Sequence, residues 1–224
     1  MHIKDGFIDP AIAIVMFAAA IILLVISWKK AKATYTQSFA AILAISSAFV
    51  FAAQMIDFPV ALGTSGHLVG GTFLAMLLGP FAAMISMSIV VIMQAFFFAD
   101  GGISTLGANI FNMAITCGLG FLLIKLLTRN VKGTGEFASR VFVASWISVM
   151  VGALAAALEA GFSSVAASAG GVWAVVPALL GFYAVAGLVE GAVTAALLTS
   201  LQRFQPAVMV GLNLLKANAG VKEW

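Results

Sequence analysis

Between Ala11 and Ser27 the chain runs AIAIVMFAAAIILLVIS without one charged side chain. About 20 apolar residues, rising 1.5 Å each as a helix, cross the hydrocarbon core of a bilayer. The run is therefore read as a transmembrane helix, ended by the basic cluster Lys29, Lys30 and Lys32. A cleaved secretory leader fits poorly, because Lys4 is the sole early basic residue and no convincing cleavage site precedes that cluster. On the same ruler, helices are expected over residues 10–28, 38–56, 67–79, 81–99, 107–128, 140–161 and 177–201. The expected fold is an all-α polytopic membrane protein, a bundle of about seven transmembrane helices forming a single domain over residues 1–224. With 8% charged residues and a mean hydropathy of +1.15, a soluble globular domain is excluded. The net charge of +3 says more about orientation than about an anionic partner, and nucleic acid is not expected. Cys117 is alone, so neither a disulfide framework nor a thiolate metal cluster is available.

Orientation follows from where the basic residues fall. They cluster after the first helix, again at Lys125, Arg129, Lys132 and Arg140, and again at Arg203, Lys216 and Lys222. By the positive-inside rule these three regions are cytoplasmic. Four crossings between residues 32 and 125 then require the short segment 67–79 to count as one, with Pro80 opening the helix that follows. This layout puts the N-terminus and the loops 57–66, 100–106 and 162–176 on the extracytoplasmic side, and the C-terminus in the cytoplasm. Both histidines of the chain fall on the outer side.

His2 is adjacent to the terminal amine. The Met1 amine, the His2 amide and His2 Nδ1 can close a five- and a six-membered chelate ring, which supplies three corners of a square. The amide must lose its proton to bind, a step that square-planar Ni(II) or Cu(II) promotes and Zn(II) does poorly. His67, set in GTSGHLVGG, is the one other imidazole in the chain and can supply the fourth corner. The competing reading makes His67 a hydrogen-bonded bundle residue and His2 an idle terminal side chain. Thr64 and Ser65 can orient the ligands. The stretch ADGGISTLGANIFN places Asp100, Thr105, Asn109 and Asn112 at the outer mouth of the fifth helix. Asn109 and Asn112 share a helix face, where they can hold the metal-site loops or cap and pack. Asp5 can fix an imidazole tautomer or support the Gly6 turn, and Gln94 and Glu190 are buried polar groups in need of partners. The stripe Ala40, Ala44, Ala48 and Ala52 packs inside the bundle or receives a partner; Gly187 and Gly191 pose the same choice.

MHIKDGF with Pro10, QMIDFPVALGTSGHLVGG and QAFFFADGGISTLGANIFNMA together resemble, in order, the signature segments of the NikM/CbiM family. These are the nickel and cobalt substrate-binding subunits of energy-coupling-factor transporters. The resemblance runs through most of the chain and is densest in residues 1–10 and 54–113. It implies a seven-helix fold whose N-terminal segment, residues 1–10, enters a site completed by the loops 57–71 and 99–112. It also implies metal held by the Met1 amine, the His2 amide and imidazole, and His67. The GTSGHL form after QMIDFP is closer to the nickel type, although Asp57 stands where many nickel-type relatives carry a neutral residue. Without a GxxxxGK[ST] loop or an HExxH motif, neither ATP hydrolysis nor zinc proteolysis is expected of this chain.

The resulting expectation is a non-enzymatic capture subunit for Ni(II) in the cytoplasmic membrane of a prokaryote. A transmembrane coupling subunit and cytoplasmic ATPase subunits would drive it, with a small accessory membrane subunit as a further partner. The alternatives are Co(II) uptake for cobalamin synthesis, a membrane metal sensor that does not transport, and a neutral-solute channel with incidental histidines.

Overall fold

A computed structural model of the chain describes residues 1–32, 37–60, 63–131 and 133–204. Lys132, Lys216 and Lys222, which carry part of the orientation reading, lie outside the described residues. The helices are α1 (Pro10–Ala31), α2 (Gln37–Gln54), α3 (Gly71–Leu78), α4 (Pro80–Phe98), α5 (Leu106–Leu127), α6 (Thr134–Gly161), α7 (Ser164–Ala167) and α8 (Val172–Phe204). Five of these, α1, α4, α5, α6 and α8, are long and apolar enough to cross a membrane. The chain is thus a multi-pass membrane protein.

Helix α1 opens on Pro10, whose missing N–H is no loss in a first turn, and closes on Lys29 and Lys30. Ile14, Val15, Ile21 and Ile22 on its outer face are all more than half exposed, as suits a helix solvated by lipid. Its inner face packs on α4 and α5, while α6 lies along α8 and against α5. The glycine face of α8 meets α6 directly: Gly187 abuts Trp146 and Gly191 abuts Phe142. The choice left open for these glycines is therefore settled as packing within the bundle. The alanine stripe of α2 goes the other way. Ala40, Ala44, Ala48 and Ala52 are all exposed, so it is not interior packing.

Three helices differ in their bounds from expectation. The third helix is eight residues, Gly71–Leu78, rather than 67–79, because Gly70 at φ 72° and Gly79 at φ 77° break it at both ends. His67 consequently sits in the turn before the helix. Helix α6 begins at Thr134, so residues 134–139, expected in a polar loop, are helical. Helix α8 begins at Val172 and carries Pro177 inside it. The ring there removes one backbone bond without ending the helix.

The all-α expectation also misses a small antiparallel sheet in the order β1 (His2–Ile3), β3 (Thr64–Gly66), β2 (Phe58–Pro59). Its register pairs His2 with Ser65 and Ile3 with Thr64, then Phe58 with Gly66 and Pro59 with Ser65. Strands of two and three residues carry no alternating hydrophobic pattern, so nothing local in the sequence announces them. They tie the N-terminus to the loop before α3 at one end of the bundle. The loops 100–105 and 162–164 meet the N-terminal segment at the same end, through Gly102 N–H to Ile3 O at 2.9 Å and Asp9 N–H to Ser163 Oγ at 3.0 Å.

Candidate metal centre

Continuing the β1–β3 register by one residue sets Met1 opposite Gly66, next to His67. The terminal nitrogen of Met1 accordingly stands 3.1 Å from His67 Nε2 and donates to the hydroxyl of Tyr183 on α8. The His2 and His67 rings stack with centroids 4.8 Å apart and planes inclined by 30°. His2 Nδ1 lies 3.0 Å from Asp100 Oδ2. Asp100 also accepts from Ser65 Oγ at 3.1 Å through its other oxygen. His2, His67 and Asp100 bring one donor atom each within 4.8 Å of one another.

A network of backbone bonds holds the N-terminal strand in place. Ile3 donates its N–H to Asn109 Oδ1 at 2.8 Å. Its carbonyl accepts from Gly102 N at 2.9 Å, Thr105 Oγ1 at 2.5 Å and Asn109 Nδ2 at 3.0 Å. Lys4 N–H donates to Gly63 O at 3.0 Å. Asp5 Oδ1 accepts from Ser104 N at 2.7 Å and Ser104 Oγ at 2.6 Å. The Met1 side chain is wholly buried, and a Cβ added at Gly152 on α6 would stand 3.0 Å from its sulfur. The chain's start is therefore an anchored element of the fold.

Burial governs the electrostatics. Met1 and His2 are 0% exposed and His67 3%. Burial pushes the Met1 amine down to about 5 from its ordinary 8.0, against the pull of Asp100 and Asp57. It lowers His2 as well, opposed by the hydrogen bond to Asp100. His67 falls well below its usual 6.5, first by burial and then by the nearby amine. For Asp100, burial acts upward, but His2 as hydrogen-bond partner and charge, with His67, holds the carboxyl below the usual carboxylate range. At neutral pH the amine and both imidazoles keep their lone pairs, the state a metal ion needs. His2 Nε2 is buried with no hydrogen-bond partner among the described residues. The 3.1 Å gap between the amine and His67 Nε2 is close to the edge of a square with metal–nitrogen bonds of about 2.0–2.1 Å, which is roughly 2.9 Å.

The supporting residues divide. Ser65, Thr105, Asn109 and Asp100 converge on the N-terminal strand or on His2. Asp5 takes the loop-fixing role, bonded to Ser104 with no imidazole contact. Asn112 turns away and donates to Glu159 at 2.7 Å. Thr64 contributes by its backbone pairing with Ile3. Gln94 donates to Gln54 at 2.9 Å. Tyr183 was not expected, and the signal for it is thin: it is one of two tyrosines in the chain, placed in an apolar helix where a phenol needs a partner.

The profile of the CbiM family, described as a cobalt uptake substrate-specific transmembrane region, matches residues 2–208. A protein of Haloquadratum walsbyi, named provisionally as a metal transport protein, is 37% identical over 207 residues, 92% of each chain. The fused nickel transport protein NikMN of Rhodobacter capsulatus is 33% identical over 221 residues, 93% of this chain and 64% of that protein. A solved structure titled as a transition metal transporter superposes with a TM-score of 0.82 at 31% identity, covering 96% of this chain and 100% of that one.

Proposed function

Because the chain belongs to the CbiM family of cobalt uptake substrate-specific transmembrane proteins, we propose that it is a membrane subunit that captures Ni(II) from outside the cell and gives it up to an ATP-driven energy-coupling-factor importer. The observation that carries this reading is the Met1 amine 3.1 Å from His67 Nε2, in a buried cluster of nitrogen donors with depressed proton affinity. The incoming ion takes the amine, the His2 amide, His2 Nδ1 and His67 Nε2. The amide proton leaves, and His2 Nδ1 exchanges Asp100 for the metal as its own proton passes to Nε2. Tyr183 remains as an acceptor for the amine N–H that metal binding polarises, and Asp100 stays beside the site as a negative charge. His67 stands across the square from the amide, so it is the ligand that joins the N-terminal chelate to the bundle.

Square-planar nitrogen ligation with an ionised amide favours Ni(II) over Co(II). Ligands on one buried segment and one loop suit a site that releases its cargo when the two separate. The exposed alanine stripe of α2 is open to the transmembrane coupling subunit, which would bring cytoplasmic ATPase subunits and energy this chain lacks. The cytoplasmic membrane of a prokaryote is the setting that follows.

Titration of the purified protein with Ni(II) and with Co(II), followed by optical spectroscopy, tests the reading. One diamagnetic, yellow-orange Ni(II) per chain, bound more tightly than Co(II), is expected; preferential Co(II) binding would shift the substrate to cobalt. ATP-dependent uptake of labelled nickel with the coupling subunits present separates transport from sensing.

A further inference from the structure

His67 is oriented by a peptide that is itself held from behind. Its Nδ1 lies 2.6 Å from Leu68 O, so an Nδ1–H donated to that carbonyl leaves the Nε2 lone pair facing the Met1 amine. The same peptide unit ends in the Val69 N–H, which donates to Glu190 Oε2 at 2.5 Å. The next N–H, of Gly70, donates to Glu190 Oε1 at 2.7 Å. Gln54 Nε2 at the end of α2 donates to Val69 O at 2.6 Å, and Gln94 of α4 donates to Gln54 Oε1 at 2.9 Å. Glu190 is 3% exposed, and Gln54 and Gln94 are 0%.

This arrangement has a physical rationale. Residues 67–70 lie outside any helix, so their buried backbone groups need partners from side chains. A carboxyl group buried on a membrane helix is costly and marks a function. Here it takes two consecutive N–H groups and completes the end of α3. One apolar cleft, lined by Phe49, Phe73 and Leu197, borders Glu190 and Gln54, and a second, lined by Ile56, Phe182 and Val189, borders His67 and Leu68. Through residues 69 and 70 the polar clamp links α2 to α8.

We propose that Glu190, supported by Gln54, is the positioning residue for His67. It fixes the 68–69 peptide, the peptide fixes the imidazole, and the imidazole closes the fourth corner of the metal square. This inference rests on the reading of Met1, His2 and His67 as the metal site and names what keeps that site closed. Because the clamp is built from α2, α4 and α8, displacement of any of those helices reaches the ligand through two peptide bonds.

Ni(II) titrations of wild type, Glu190→Gln and Gln54→Met in detergent, with His67→Ala as reference, test it. Glutamine keeps one acceptor oxygen for two N–H groups, so affinity should fall by about 10–100-fold. The visible band of bound Ni(II) should move toward that of His67→Ala, in which water replaces an imidazole nitrogen. Unchanged affinity, or weaker binding with an unshifted band, overturns the proposal, since general loss of packing alters affinity without altering the donor set. If Glu190→Gln fails to fold, Gln54→Met decides by the same two readings. A wild type without a four-nitrogen spectrum refutes the metal-site reading itself, and this proposal with it.

Discussion

The amino group of Met1 and Nε2 of His67 stand 3.1 Å apart although 66 residues separate them. That contact joins the first atom of the chain to the turn before α3. It fixes the position of the terminal amine, on which the proposed metal site depends.

Moving the amine is the most direct perturbation. Insertion of two residues, glutamate and lysine, after the initiator methionine keeps every native side chain and shifts the terminal nitrogen out of a pocket in which Met1 is 0% exposed. Nickel binding should fall by at least about 100-fold, in line with losing one ligand and the five-membered chelate ring. Isothermal titration checks it, and undiminished affinity refutes the role of the amine.

The pH dependence follows from the seated amine. Free, it has a value of 8.0; buried, about 5. Between those values the undocked state binds more protons than the docked one, so docking gains stability as pH rises from 5 to 8 and loses it as pH falls. The apo protein should therefore melt at progressively lower temperature from pH 8 to pH 5. With the amine already neutral, nickel binding near pH 7 displaces the amide proton alone. Log affinity should rise by about one per pH unit between pH 6 and 8 and more steeply below 5. A slope of two at neutral pH would mean an unseated amine.

Asn109 tests the cradle without touching a proposed ligand. It exchanges bonds with both the N–H and the carbonyl of Ile3. Asn109→Leu leaves the buried N–H of Ile3 without an acceptor, at a cost of about 2 kcal/mol. If docking of the N-terminal strand carries that loss, nickel affinity drops by about 30-fold. Hydrogen exchange at the Ile3 and Lys4 amides should accelerate while the helices stay protected.

Gly152 tests the seat of the Met1 side chain. A Cβ there would stand 2.7 Å from Thr116 Cγ2 and 3.0 Å from Met1 Sδ. Overpacking of this kind costs about 1–3 kcal/mol, so Gly152→Ala should weaken nickel binding by about 5–100-fold. Spectroscopy of the bound fraction should still report four nitrogens.

Asp100→Asn removes the charge beside His2 while preserving an acceptor for Ser65. In the proposed site Asp100 yields Nδ1 to the metal and stays beside it as a negative charge; loss of such an outer partner weakens metal affinity by about 10–100-fold, and competition with a chelator measures it. Equal affinity in the two proteins would leave Asp100 as loop structure.

Helices were legible in the sequence because apolar length is a local property. The run from Ala11 to Ser27 and the Gly79–Pro80 junction located α1 and the start of α4 almost to the residue. Boundaries slipped where a local rule met a tertiary exception, as with Pro177 inside α8 and with His67 ahead of a helix cut short by Gly70. The nitrogen donors could be named because chelate rings depend on consecutive atoms at the chain's start. The strand pairing of His2 with Ser65 was not legible, since two-residue strands have no period to detect.

The sequence by itself therefore determined a membrane-embedded helical chain, its family, and an inventory of donors that can form a square nitrogen site. Tertiary structure decided which of them meet. The register of the small sheet brings Met1 to His67, burial strips the amine of its proton, and Asn109 proves to serve the N-terminal strand while Asn112 turns to Glu159. Glu190, readable only as a charge in need of a partner, finds it in the Val69 and Gly70 amides. Each of these outcomes depends on groups 47 to 182 residues apart, and such separations are closed by packing and long-range hydrogen bonds that no local pattern encodes.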